Sequence, residues 1–149
     1  MLGESGGMTG EAGSGNECEP LPVHSSSFCV LGTPLDGDAV ELTAGMPLTV
    51  SGEPEGCYSS SCDKVELDYC AVIGSDRFYS VSLAYCRTSV GTPGGACTGD
   101  CARQSLECAP GVTLEEGEYT INSAGSGLTV TFTVPSQVHQ AQLCAPAVQ

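Results

Sequence analysis

Val65-Glu66-Leu67-Asp68-Tyr69-Cys70-Ala71-Val72-Ile73, then Gly74-Ser75-Asp76, then Arg77-Phe78-Tyr79-Ser80-Val81-Ser82-Leu83-Ala84-Tyr85-Cys86 is the stretch that decides the fold. In its first segment Val65, Leu67, Tyr69, Ala71 and Ile73 share one parity, and in its second Tyr79, Val81, Leu83 and Tyr85 do. Alternation on both sides of a short Gly-containing link reads as a β-hairpin with one buried face. If Ile73 pairs near Arg77, Ala71 meets Tyr79 and Tyr69 meets Val81, which brings the apolar parities together. In that register Cys70 faces Ser80 and Cys86 faces Lys64. The two cysteines then lie roughly 20 Å apart at strand rise, beyond the roughly 7 Å between Cα atoms that a disulfide tolerates. Cys70 and Cys86 are therefore expected not to bond to each other.

Outward from the hairpin, other short segments repeat the pattern. Leu128, Val130, Phe132 and Val134 alternate with Thr129, Thr131 and Thr133, and threonine suits the solvent face of a strand. Glu118–Asn122 places Tyr119 and Ile121 on one face after the turn at Glu115-Glu116-Gly117. Ser27–Leu31, Ala39–Thr43 and Leu48–Ser51 are further strand candidates, each bounded by Gly, Pro or Asp. Pro47 is expected at the first residue of its strand, where a missing N–H does no harm. Gly52 to Ser61 reads as a loop, and Val138–Leu143 as a weak final segment. Seven or eight short strands at intervals of roughly ten residues, with no amphipathic helix, predict an all-β sandwich.

Ten cysteines in 149 residues, with no Trp and only 5% aromatic residues, describe a modest core reinforced by disulfides. All ten (Cys18, Cys29, Cys57, Cys62, Cys70, Cys86, Cys97, Cys101, Cys108 and Cys144) are candidates for bridges. Seven lie from Cys57 to Cys108 and three outside it, so both groups are odd. Full oxidation within the chain then requires one or three bridges between the arms and the centre. Cys18–Cys29 with a bridge from Cys144 is one solution; Cys29–Cys144 with Cys18 reaching inward is another. A local Cys57–Cys62 bridge competes with a Cys62–Cys86 bridge across the hairpin. The long segment Arg87–Val112 needs a pin to be ordered, and Cys97, Cys101 and Cys108 can supply it. The alternative chemistry is zinc, with Cys97, Cys101 and Cys108 as thiolates. It lacks the paired C-x-x-C knuckles usual in structural sites, and His24 and His139 stand alone near the ends.

Charge excludes some partners. With 4 basic and 18 acidic residues the formal net charge is −14, which repels nucleic acid phosphates and anionic membrane surfaces. No run approaches the roughly 18 apolar residues of a membrane-spanning helix. Residues 1–17 hold six glycines, two serines, three glutamates and no Lys or Arg. They read as a flexible tether before a single disulfide-rich domain over residues 18–149. Met1-Leu2-Gly3-Glu4 has neither the basic start nor the apolar core of a signal peptide. With the cysteine content, this predicts a mature or trimmed form with an added start; the other resolution is a cytosolic protein with reduced or metal-bound cysteines.

No catalytic constellation emerges. Gly3-Glu4-Ser5-Gly6-Gly7 fits G-x-S-x-G and looks like the serine-protease nucleophile motif, but a tether offers no strained turn to expose the serine. Asp36, Asp38 and Glu41 are hard oxygen donors close in sequence, without EF-hand spacing. Glu115, Glu116 and Glu118 sit on a turn tip. No cofactor-binding motif is present, and an enzyme is not expected.

The tether resembles the spacer that follows the anchor cysteine of bacterial surface lipoproteins. Leu114-x-x-Gly117-x-Tyr119 before an alternating Thr strand resembles the closing strands of bacterial immunoglobulin-like modules, over roughly Val40 to Pro135. Gly56-Cys57-Tyr58-Ser59-Ser60-Ser61-Cys62 is similar to loops in cysteine-rich, myxobacterial-type surface proteins. The resemblance implies an immunoglobulin-like, disulfide-stapled ectodomain, extracellular or at the cell surface and lipid-anchored before trimming. The function expected is a non-catalytic binding or structural module for a protein or surface partner, with the loops Glu53–Asp63 and Arg87–Val112 carrying recognition. An inhibitor or effector that presents Arg103 from the 87–112 loop is the alternative from another class.

Overall fold

The computed structural model describes residues 17–22, 25–89, 97–101 and 104–146. Among them the chain is all-β, with one short 3-10 segment and no α-helix. The strands are β1 (Glu19–Pro20), β2 (Ser25–Leu31), β3 (Thr33–Pro34), β4 (Ala39–Leu42), β5 (Thr49–Pro54), β6 (Asp63–Ser75) and β7 (Phe78–Ser89). They continue with β8 (Leu106–Cys108), β9 (Gly117–Ser123), β10 (Leu128–Val134), β11 (Ser136–His139) and β12 (Cys144–Ala145).

Three sheets enclose one core. The largest joins β6, β7, β9 and β10 in that order, with β1 added along β7 beyond the end of β9. A second runs β12-β2-β5-β8, and a third β11-β4-β3. The strand pairs are antiparallel except one: Thr120–Ser123 of β9 runs parallel to Phe78–Val81 of β7. The core draws on all three sheets, with Phe28, Val50, Leu42, Tyr85, Ile121 and Val134 all buried. Tyr119 stacks between Tyr79 and Phe132, at ring-centroid distances of 6.4 and 5.4 Å. Its hydroxyl accepts the Glu115 N–H at 2.8 Å, fixing the turn that precedes β9.

The Thr strand folds as its alternation predicts: Val130, Phe132 and Val134 are buried, and Thr129, Thr131 and Thr133 are exposed. On β7, Val81, Leu83 and Tyr85 are buried as expected. The register of the hairpin differs from expectation. Asp76 and Arg77 form a two-residue turn with φ of 55° and 68°, and Ser75 pairs with Phe78. Two left-handed central residues match the right-handed twist of the flanking strands. This tighter turn slides the pairing by three residues, so Ala71 meets Ser82 instead of Tyr79, and Cys70 meets Leu83 instead of Ser80. A β-bulge between Leu67 and Tyr69 reverses the parity of β6 midway. Val65 is buried and Leu67 packs on the core, but beyond the bulge Cys70 and Val72 face inward and Tyr69, Ala71 and Ile73 face solvent.

Two loop assignments also change. β5 continues through Gly52 to Pro54 because Gly52 lies against the Tyr85 hydroxyl and Leu83, a place no Cβ could occupy. Pro47 precedes the strand as an isolated bridge to Thr113, while Leu48 is fully buried. The segment after the hairpin is not wholly loop: β7 runs to Ser89, and Leu106–Cys108 forms β8.

Candidate functional site

All ten cysteines are bridged: Cys18–Cys86, Cys29–Cys144, Cys57–Cys101, Cys62–Cys97 and Cys70–Cys108. Cys70 and Cys86 take different partners, as expected. Of the two arm solutions the structure takes Cys29–Cys144, which joins facing residues of β2 and β12, with Cys18 reaching inward to β7. The Cys57–Cys62 and Cys62–Cys86 alternatives are both replaced. Cys86 lies opposite Glu66, and β1 brings Cys18 beside it. Cys57 and Cys62 each reach across to the 97–101 segment, and the first cysteine of one segment takes the last of the other. With no free thiol, the zinc arrangement has no thiolate to offer.

The two bridges at Cys57 and Cys62 build the most distinctive surface of the molecule. Gly56 has φ of +124°, and the Tyr58 ring lies against it where a side chain would stand. The Tyr58 hydroxyl donates to the Glu55 carbonyl at 2.7 Å. The next turn closes reciprocally: Ser59 N–H donates to Asp63 Oδ2 at 2.7 Å, and Asp63 N–H donates to the Ser59 carbonyl at 2.9 Å. Such side-chain hydrogen bonds are why a serine run favours a turn over a strand here. Ser59 Oγ then accepts the Cys62 N–H at 3.3 Å and lies 2.9 Å from Thr98 Oγ1. Thr98 N–H donates to Ser61 Oγ at 3.0 Å. Asp100 joins both segments, accepting the Thr98 hydroxyl at 2.7 Å and the Ser60 N–H at 3.1 Å.

Hydrogen bonding by the Ser60 side chain first, then by the Thr98 hydroxyl and the Ser60 N–H, holds the Asp100 carboxyl well below the usual carboxylate range. These bonds favour its charged form, so Asp100 works as an ionised clamp between the loops. Ser60, Ser61 and Cys97–Cys101 are exposed, while Tyr58, Ser59 and Cys62 are buried beneath them. Beside this pair of loops lies a polar cleft of about 360 Å³, lined by Ser26, Glu53, Pro54, Tyr58, Cys101 and Gln104. Its mix of hydroxyl, amide and carboxylate groups suits hydrogen bonding to a polar ligand or segment.

The other sequence candidates are not assembled into sites. Asp36 and Asp38 are exposed at a turn, and Glu41 accepts Gln137 Nε2 at 3.1 Å. Glu115, Glu116 and Glu118 are exposed around Gly117. His139 is exposed at the end of β11. Among the described residues, the His, Cys, Asp and Glu groups close enough for a shared metal are Cys18, Glu66 and Cys86, and the two sulfurs there form a disulfide. The tether up to Asn16, with Ser5, and His24 and Arg103 lie outside the described residues. The sequence singles out the two loops but not the roles of Tyr58, Thr98, Asp100 and Gln104 within them, which tie the loops in place or line the cleft. Cys57, Cys62, Cys97 and Cys101 were the available signal, since residues enclosed by paired cysteines are held in place. No helix of the described residues is long and apolar enough to cross a membrane. The chain matches no family model, and comparison with curated proteins and with solved structures finds no match.

Proposed function

We propose that the chain is a non-catalytic binding or structural module, secreted or displayed at a cell surface, and that the bridged loop pair is its recognition surface. The observation that carries this reading is the placement of Cys57–Cys101 and Cys62–Cys97. They hold two exposed loops in one shape at the rim of the core, which lowers the ordering entropy a partner would otherwise have to overcome. Five bridges support an oxidising compartment, where structural disulfides persist. The Tyr119 hydroxyl bonding back to Glu115 supports an immunoglobulin-like arrangement, in which a tyrosine corner makes a bond of this kind.

Intact mass tests the framework: full reduction should add about ten mass units, two hydrogens per bridge. Ten thiols that alkylate without reductant would sink it. Recognition is tested by probing the oxidised protein against glycan and extracellular-peptide arrays. The expected result is binding that Ser60→Arg abolishes with the unfolding temperature unchanged. Binding indifferent to substitutions in both loops would refute the assignment. The inhibitor reading has one observation in its favour: Cys97, Cys101 and Cys108 tie the 87–112 segment at three points. Failure to inhibit trypsin-like proteases would remove it.

A further inference from the structure

The turn at Asp76-Arg77 and the bulge before Tyr69 together set the outward side chains of the large sheet in rows. Residues paired across neighbouring strands point to the same face. Ile73, Ser80, Asn122 and Thr129 therefore form one row across β6, β7, β9 and β10. Ser75, Phe78, Thr120 and Thr131 form the next. Each row spans about 14 Å, three strand spacings, and the rows lie about 7 Å apart. Neither contains a charge, and the part of β6 that leads into them, Tyr69–Ser75, has none either. Ile73 and Phe78 are 74% and 68% exposed, and they share a shallow groove of about 320 Å³ with Gly74, Tyr79, Thr120 and Asn122. The polar groups of the face are ordered: the Ser80 hydroxyl donates to Asn122 Oδ1 at 2.9 Å, and Asn122 Nδ2 donates to Thr129 Oγ1 at 3.3 Å. That chain fixes the Asn122 amide. It leaves the second N–H of the amide, and the hydroxyls of Thr120 and Thr131, without a protein partner among the described residues.

We propose that this face binds a neutral glycan chain laid along the rows. Charge decides among the occupants. A net of −14 repels nucleic acid, an anionic lipid surface and a second copy of the chain, which carries the same net charge. A basic peptide finds no carboxylate in either row. An uncharged ligand meets no such penalty, and it has to match what the face offers, which is apolar surface beside hydroxyl and amide groups. A pyranose ring has that division, with C–H groups on its faces and hydroxyls around its edge. The Phe78 ring, whose π face is electron-rich, takes the C–H face. Ser80, Asn122, Thr120 and Thr131 exchange hydrogen bonds with the hydroxyls. The groove lies at the lower end of the roughly 300–1,000 Å³ of small-ligand sites, which gives room for a sugar ring at Phe78, and the rows continue over Thr129 and Thr131 for its neighbours. This surface is separate from the bridged loop pair: it lies at the Ser75 end of β6, whereas the Cys57–Cys62 loop leads into the Asp63 end.

Titration of the full oxidised chain with soluble hexamers of β-1,4-linked glucose and of β-1,4-linked N-acetylglucosamine, followed by amide NMR, tests the face. The expected result is saturable shifts in residues 73–80, 120–122 and 129–131 with at least one of the two. A hexamer of β-1,4-linked uronate should bind at least about tenfold more weakly than that neutral hexamer. Phe78→Ala, at an exposed site where the fold tolerates it, should weaken binding at least about tenfold, and Phe78→Trp should retain it. No saturable shift from either neutral hexamer up to millimolar concentration would overturn the proposal. Binding that Phe78→Ala does not weaken, or uronate bound as tightly, would do the same. Shifts of these amides that grow with protein concentration in the absence of sugar, with a dimer in sedimentation equilibrium, would assign the face to a second copy and overturn it too. Ser60→Arg should leave the sugar shifts intact, so failure of the loop assignment and failure of this face are separable.

Discussion

Replacing Cys62 and Cys97 by alanine removes one bridge of the loop pair and leaves its neighbour in place. The two bridges span 44 and 35 positions. Taken alone, opening a loop of 35 residues corresponds to about 3.8 kcal/mol of unfolded-state entropy in the chain-entropy treatment. The loop is not alone, however. With Cys57–Cys101 intact, the ring between the bridges holds only the nine positions by which their spans differ. A ring of that size corresponds to about 2.6 kcal/mol, so the double variant should lose about that much. The assay is urea unfolding of both oxidised proteins, followed by near-ultraviolet circular dichroism so that core packing around the aromatics is read directly. A loss of about 4 kcal/mol or more, or a domain that no longer folds, would refute nested bridging and mean that Cys62–Cys97 holds more of the body than its loops. A loss below about 1 kcal/mol would refute the entropic account, since native disulfides typically contribute 2–4 kcal/mol.

Three further outcomes follow from the core and the clamp. Gly52→Ala drives a methyl group into the Tyr85 hydroxyl and Leu83, and should lower stability by about 2 kcal/mol in thermal or urea unfolding, as overpacked cores do. Tyr85→Phe removes the buried 2.7 Å bond to Ser25 Oγ and should lose about 1 kcal/mol at neutral pH. Burial raises the Tyr85 pKa, against a lowering by the Ser25 bond. Its contribution is therefore complete below the ordinary tyrosine value and fades as pH rises through the raised one, an alkaline loss of unfolding temperature that Tyr85→Phe should diminish. Asp100 has the opposite sign: with its pKa lowered, the clamp is complete above the ordinary value of 3.8 and fades only as pH falls well below it. Protection of the Ser60 amide from exchange, relative to an unstructured amide at the same pH, should fall at strongly acid pH, and Asp100→Asn should lower it at neutral pH; indifference to both would refute the clamp.

What could be read from the chain by itself was local. The exposed Thr129, Thr131 and Thr133 against buried Val130, Phe132 and Val134 are legible because strand side chains alternate with a period of two, whatever the strand pairs with. The turn around Gly117 and the cysteine content that calls for bridges are legible from similarly short-range features of the sequence, whereas the separation expected between Cys70 and Cys86 rests on a register that the structure shifts. What the tertiary structure decided was pairing. One bulge at Asp68 and a left-handed turn at Asp76-Arg77 are small backbone events without a distinctive composition, yet they slide the hairpin by three residues and turn Tyr69, Ala71 and Ile73 outward. Gly52 reads as a loop residue until Tyr85, 33 positions later, is seen pressed against it. The choice among bridges was equally non-local. Cys57 and Cys62 look like partners in sequence, but the turn between them sends both sulfurs to the 97–101 segment. The bridged loop pair and the uncharged outer part of β6 both arise at this level. Each depends on which segments lie side by side in space, a relation that periodicity along one strand does not carry.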